Sequence, residues 1–227
     1  MKDHPDGIRP ARYDFDRIDR LFNSIAPPQL YSANTALFEQ GSAAVEVYFI
    51  KTGLIKLHRI VREGKEFIVD LRFPGALLGA SSVIAQRPYQ FTAITLVRSR
   101  LYRIPAAVFL ELLRTDNNFS WAIQRMQSNE ICDQSERIVQ LACLSAQQRV
   151  EELLWQLISA LEPEGLQKEI RFQLLLKHWE VSQLIAITPQ HLSRVFKDMQ
   201  QKGIIRQEKG WTIVPNPIRL FHQVKAS

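Results

Sequence analysis

Glycines at positions 41, 53, 64 and 75 punctuate a β-rich N-terminal half, and the stretch from Pro105 to Leu161 is almost free of Gly and Pro. Residues 180–199 then read as two helices across a short turn. Together these observations predict an α+β chain: an N-terminal antiparallel β-roll (a double-stranded jelly roll), a long helix, and a C-terminal winged helix-turn-helix. The expected boundaries are 1–115, 116–144 and 145–227.

The chain has 227 residues, enough for one large domain or two modest ones with real cores. Its hydrophobic fraction of 46% and charged fraction of 23% are ordinary globular composition. Apolar runs are short, as at Val47–Ile50, and none approaches the ~20 residues needed to cross a bilayer. The first seven residues carry no apolar core and do not read as a secretory signal. Two cysteines, Cys132 and Cys143, cannot staple a secreted fold of this size, so a reducing cytoplasm is expected. Membrane, secreted and disordered classes are excluded on these grounds.

In chain order, an amphipathic helix opens the fold, with Phe15, Ile18, Leu21, Phe22 and Ile25 at helical spacing and Pro27-Pro28 ending it. Strands follow over Val45–Ile50, Leu54–Val61 and Glu66–Phe73. In the last, Phe67, Val69, Leu71 and Phe73 alternate with Glu66, Asp70 and Arg72. Phe91–Val97 and Arg100–Ile104 add two more. Pro105 suits a first helical turn, and Val108, Leu112 and Leu113 share a face of a short helix. Asp116-Asn117-Asn118 offers a cap for a long helix running to about Leu144. Along it Trp121, Gln124, Ser128, Ile131, Ser135, Ile138 and Ala142 repeat at 3 and 4. That stripe suits either a buried core helix or packing on a second copy. Ser145-Ala146-Gln147-Gln148 matches a capping box, so a new helix starts there, with Val150, Leu153, Leu154, Leu157 and Ile158 inside and Pro163-Glu164-Gly165 ending it.

Val181, Leu184 and Ile185 give the next helix its apolar face, and Ala186-Ile187 turn the chain. Thr188 is an N-cap and Pro189 sits where no backbone N–H is needed. In the helix that follows, Leu192, Val195, Phe196 and Met199 must face the core, which leaves Gln190, Ser193 and Arg194 together on another face. Those side chains suit base edges: Arg donates two bonds to guanine, Gln pairs both ways with adenine, and Ser adapts. Residues 188–227 hold seven Lys/Arg against two acids, so most of the net +6 lies at this end. A basic end is the footprint of a phosphate-rich partner, though a solvated face has the same composition. Ile204-Ile205, the polar Arg206–Lys209, Gly210 and Trp211–Val214 make a hairpin wing with Lys209 at its tip. Thr188, His191, Lys197 and Lys209 are the expected DNA backbone contacts.

The Gly-punctuated roll, the long helix and the motif Ile187-Thr188-Pro189-Gln190-His191-Leu192-Ser193-Arg194 resemble the CRP/FNR family (cyclic-AMP receptor protein and fumarate–nitrate reductase regulator) over roughly residues 15 to 220. The resemblance implies a transcription regulator that binds palindromic double-stranded DNA as a homodimer through the long helix, at an Ile131/Ser135/Ile138 seam, with RNA polymerase as a further partner. The recognition motif is most similar to the branch carrying Glu-x-x-Ser-Arg, which reads a TTGAT-type half-site. Ser193 and Arg194 carry over directly, Gln190 replaces the Glu, and Ala186 stands where many relatives have a turn glycine.

The family's sensing residues are altered. Cyclic-nucleotide-binding relatives place a Glu after the equivalent of Gly79 and hold the phosphate with an Arg-Ser/Thr-Ala triplet. Here Ala80 follows Gly79 and the triplet reads Phe91-Thr92-Ala93, so cyclic AMP bound in the family manner is not expected; a buried phosphate without a cation is costly. Arg87, four residues before Phe91, is a substitute cation on a loop. No N-terminal cysteine cluster exists for an iron–sulfur centre, and Cys132 and Cys143 stand about 16 Å apart along a helix, too far for a disulfide. A haem on His4 or His58 is weighed against plain surface or strand histidines. Leu78, Gly79, Ala80, Phe91, Thr92, Gln134 and Ser135 are the candidate effector pocket. Its ligand would be a neutral or anionic small molecule such as a 2-oxo acid, or the pocket is filled by Phe91 and Leu78 in a constitutive regulator. No cofactor is expected.

Two rival classes remain to be weighed. A cupin-like enzyme needs clustered histidines and an acid, and the sheet region offers only His58; no Gly-x-Ser-x-Gly, P-loop or His-Glu-x-x-His motif occurs. No enzymatic activity is expected. A protein-interaction module with a degenerate reader shares the fold, and Arg194 argues against degeneracy.

Overall fold

The computed structural model describes residues 12–61, 64–161, 169–218 and 220. It divides into two compact units, one of residues 1–66 and 70–133 and one of residues 67–69 and 134–227.

The first unit opens with α1 (Arg12–Ile25), then β1 (Gln29–Tyr31), β2 (Ala36–Phe38), β3 (Glu46–Thr52), β4 (Ile55–Ile60), β5 (Glu66–Arg72) and β6 (Leu77–Leu78). A short helix α2 (Ala80–Ile84) follows, then β7 (Thr92–Thr95), β8 (Ser99–Pro105), α3 (Ala106–Thr115) and the start of α4 (Asn117–Cys143). Two four-stranded antiparallel sheets form, in the orders β1-β8-β3-β6 and β2-β7-β4-β5.

Strand β3 explains why Val47–Ile50 reads as a continuous apolar run rather than an alternation. Val47 and Phe49 face a core shared with Ile18 and Phe22 of α1, Phe109 of α3 and Phe119 and Ile123 of α4. Tyr48 and Ile50, pointing the other way, pack with Ile55, Leu57, Leu78, Ala93 and Leu101. A strand buried on both faces carries apolar side chains at every position. In the helix-side core Phe22 stacks on Phe49 with ring centroids 4.7 Å apart, and Phe109 meets Phe119 edge-on at 5.6 Å. Gly53 turns between β3 and β4 at φ 116, and a Cβ there would collide with Ser99. No other residue fits that turn.

Two expectations need correction. Strand β5 does not keep a strict alternation: Ile68 and Leu71 are its buried residues and Phe67 is 44% exposed. Ile68 and Leu71 lie three apart, on opposite faces of an extended strand, so β5 is covered at one point on each side. In α3 it is Phe109 that is fully buried while Val108 is exposed, because Phe109 shares the 3–4 spacing with Leu112 and Leu113. His58 is a strand histidine, on β4, and is buried with Nδ1 3.2 Å from Glu66 Oε1.

Helix α4 begins as its sequence specifies. Asp116 Oδ1 accepts from the Asn118 and Phe119 amides at 2.9 and 3.0 Å. The stripe at 121, 124, 128, 131, 135, 138 and 142 is exposed along its whole length. Cys132 and Cys143 are free and exposed.

The second unit contains α5 (Ala146–Leu161), β9 (Ile170–Phe172), α6 (His178–Leu184), α7 (Pro189–Gln201), β10 (Arg206–Glu208) and β11 (Trp211–Val214), with the last residues of α4. The Ser145 capping box forms reciprocally. Gln148 Oε1 accepts from the Ser145 amide at 2.8 Å, and Ser145 Oγ accepts from the Gln148 amide at 3.3 Å. Val150, Leu153, Leu154, Leu157 and Ile158 are all buried. The Pro163-Glu164-Gly165 stop and His4 lie outside the described residues.

Glu152 is a carboxyl set among those apolar residues at 4% exposure. Burial pushes its pKa up, the Gln156 amide donating to Oε1 at 2.8 Å opposes that, and Glu136 of α4 adds to the rise. A folded-state pKa above the unfolded one gives stability that is full at low pH and is lost as pH rises through the folded value. Glu152→Gln keeps the acceptor for Gln156 and removes the charge. It should melt higher than wild type at about pH 8, with the gap closing toward about pH 4. An E152Q melting point below wild type at the higher pH would contradict this reading of the site.

Candidate nucleic-acid interface

Helix α6 and helix α7 meet across residues 185–188. Val181 and Leu184 from the first, Ile185 at the start of the turn, and Leu192, Val195, Phe196 and Met199 from the second are buried. Glu180 closes the start of α6 by accepting from the Lys177 amide at 2.7 Å. Thr188 Oγ1 accepts from the His191 amide at 3.2 Å, and Pro189 takes the first helical position. These two features fix where α7 begins and therefore which residues share its exposed face.

The turn is tight because Ala186 adopts φ 52. Left-handed backbone costs an L-residue ~1–2 kcal/mol, and the greater unfolded-state freedom of glycine cancels ~0.4–1 kcal/mol of any relief. Ala186→Gly should therefore stabilise the chain by a few tenths to about 1 kcal/mol, read as a rise in melting temperature. A lower melting temperature would show that the turn carries no strain.

Gln190, His191, Ser193, Arg194 and Lys197 are all exposed on α7. Ser193 Oγ donates to the Pro189 carbonyl at 3.0 Å, which leaves its lone pairs as acceptors on the outer face. The described basic residues of this end divide into two sets. Lys202 is tied to Asp198 at 2.6 Å and to Gln147 Oε1 at 2.9 Å, and Arg206 to Glu169 at 2.6 Å. Arg194, Lys197 and Lys209 have no acidic partner among the described residues.

The wing is a three-stranded antiparallel sheet in the order β10-β11-β9. Arg206 pairs with Ile213 and Glu208 with Trp211, and the two-residue turn Lys209-Gly210 has φ 47 and φ 84. Positive φ at both positions is the turn geometry that matches strand twist in a tight hairpin. It puts the exposed Lys209 at the tip. Strand β9, which sequence reading missed, completes the sheet. Its Arg171 lies over the Trp211 ring with the guanidinium 4.9 Å from the centroid. A three-residue strand is too short to show a period, and the only signal is the alternation of Ile170 and Phe172 about Arg171.

Most of the residues expected around an effector lie in the first unit. Leu78 is buried and Phe91 packs against the same core. Ala80 is buried with Val47 and Val83 on the other side. Gly79 has φ 79, and a Cβ there would stand 2.9 Å from both the Glu46 carbonyl and the Tyr89 ring. Thr92 Oγ1 accepts from the Gln40 amide at 3.0 Å. Gln134 and Ser135 are exposed on α4. No group of three or more His, Cys, Asp or Glu suited to a metal ion exists among the described residues, nor does a helix long and apolar enough to cross a membrane.

Residues 28–116 match the cyclic nucleotide-binding domain family and residues 148–221 the Crp-like helix-turn-helix domain family. The chain is 24% identical over 212 residues to the anaerobic regulatory protein of Pasteurella multocida, covering 93% of this chain and 77% of that one. It is 25% identical over 195 residues to the transcriptional activator protein anr of Pseudomonas aeruginosa, covering 86% and 78%. Its fold matches that of a CRP/FNR-family transcriptional regulator from Thermus thermophilus with a TM-score of 0.71 at 17% identity, over 87% of this chain and 98% of that one.

Proposed function

Because the chain belongs to the CRP/FNR family of DNA-binding transcription regulators, we propose that it acts as a cytoplasmic homodimer on a two-fold DNA site. The observation that carries this reading is the exposed face of α7, where Gln190, Ser193 and an acid-free Arg194 stand together at the N-terminal end of a helix whose other face is buried. Arg194 reads guanine, Ser193 adapts to its neighbour, and Gln190 takes the position where its amide can donate to adenine N7 and accept from the N6 amino group. Thr188, His191, Lys197 and Lys209 contact phosphate and fix the register.

The second copy packs on the Ile131/Ser135/Ile138 stripe of α4. The break at Leu144/Ser145, with its own capping box, lets α5 and the reading unit change angle relative to α4. Any effector acts only by binding one arrangement more tightly than the other. The protein has no catalytic role in this reading and works on transcription through contact with RNA polymerase.

Anisotropy titration of a labelled duplex tests it. Two chains should bind per site, and Lys209→Ala should weaken all duplexes alike and lower the slope of log affinity against log salt by about 1. A loss confined to one base position would reassign Lys209 to base reading, and one chain per site would contradict the dimer.

A further inference from the structure

A cleft of about 300 Å³ lies on the first unit, lined by Gln40, Gly41, Arg59 and the run Arg87–Gln90. That volume is at the lower end for small-molecule sites. Among the described residues two guanidiniums line it and no carboxylate does, and neither arginine has an acidic partner there. Two like charges on one cleft repel unless an anion lies between them.

The walls are braced by bonds that do not use the arginines. Gln40 is pinned to the end of β4: its Oε1 accepts from the Ile60 amide at 2.8 Å and its Nε2 donates to the Ile60 carbonyl at 3.3 Å. Arg59, the residue before Ile60, is thereby held at the rim. On the other side the Gly41 amide donates to the Tyr89 carbonyl at 2.8 Å, and the Tyr89 amide donates to the Ser42 carbonyl at 3.0 Å. The Tyr89 ring is buried against Phe38, centroids 4.0 Å apart, with its hydroxyl donating to the Glu46 carbonyl at 2.7 Å. Arg87 is carried to the cleft by a left-handed residue, Gln86 at φ 51, and its own amide donates to the Ser82 carbonyl at 2.9 Å. Pro88 then restricts Arg87 to extended backbone.

We propose that this cleft binds a small phosphorylated anion, with the phosphate clasped between the Arg59 and Arg87 guanidiniums. A phosphate dianion matches the two positive charges and offers oxygens enough for a forked contact to each. The braced backbone leaves only the two exposed arginine side chains to be ordered on binding. The binding stands apart from the DNA-reading assignment; only its use as an input to DNA binding rests on that assignment.

The test is isothermal titration of the full chain with inorganic pyrophosphate and with inorganic phosphate at about 0.15 M salt. Saturable binding at one site per chain is expected. Arg59→Gln and Arg87→Gln should each weaken it about tenfold or more. Arg98→Gln, an exposed arginine outside the cleft, should not change it. Absence of saturable binding, or equal affinity in the two cleft variants and wild type, would overturn the proposal. So would a fall in duplex affinity and salt slope in R59Q or R87Q without pyrophosphate, because the cleft would then be a DNA backbone contact. Duplex binding by the wild-type chain is scored separately, so failure of the DNA-reading assignment leaves this result readable.

Discussion

Replacing Ile131 and Ile138 together by glutamate should leave each chain folded and convert the protein to monomers. The two side chains are 64% and 68% exposed in the single chain, seven residues apart on one face of α4, with Trp121 above them at 60%. Phe119, Ala122 and Ile123, which do hold the start of the helix, are buried on another face and are not touched. Exposed residues contribute little to the fold of one chain, whereas on a two-fold seam each glutamate faces desolvation and its own like-charged copy. Sedimentation equilibrium reads the monomer directly. Affinity for a two-fold duplex should fall by at least about 10²-fold, because the second half-site is then no longer held at high effective concentration. A double variant that stays dimeric would place the interface elsewhere.

Arg194→Ala is expected to cost about 1–3 kcal/mol in specific binding and to relax base choice at a single position of each half-site. The side chain is exposed, has no acidic partner among the described residues, and sits one turn inside the N-terminal end of α7 beside Ser193. Its loss leaves the helix core of Leu192, Val195, Phe196 and Met199 intact, so melting temperature should not change. An equal loss of affinity on every sequence would make Arg194 a phosphate contact, with base reading left to Gln190 and Ser193.

The reading helix was the most legible part of the sequence because several local rules coincide there. Thr188-Pro189 gives the start, the 3–4 spacing of Leu192, Val195, Phe196 and Met199 gives the buried face, and the outward residues follow by elimination. The Ser145–Gln148 capping box was legible for the same reason, as a rule that acts within four residues. Strands β1, β2, β6 and β9 were not, since two or three residues cannot display a period. The alternation in β5 misled because it assumes one wet face, and Ile68 and Leu71 are covered on opposite ones. Burial around Gly79 was legible only in part. The family resemblance singles out Gly79, but the approach of the Glu46 carbonyl and the Tyr89 ring comes from residues distant in the chain. The cleft between Arg59 and Arg87 joins a strand end and a loop 28 residues later, and Arg87 alone carried a signal.

The central claim is that paired copies of α7 read a specific two-fold DNA site. Selection of binding sites by the purified, ligand-free chain from random duplex DNA at about 0.15 M salt tests this most directly. The account predicts enrichment of a palindromic motif with a TTGA-like half-site, changed at one base pair by Gln190. Only salt-sensitive binding with no enriched motif, with pyrophosphate or without it, would contradict it.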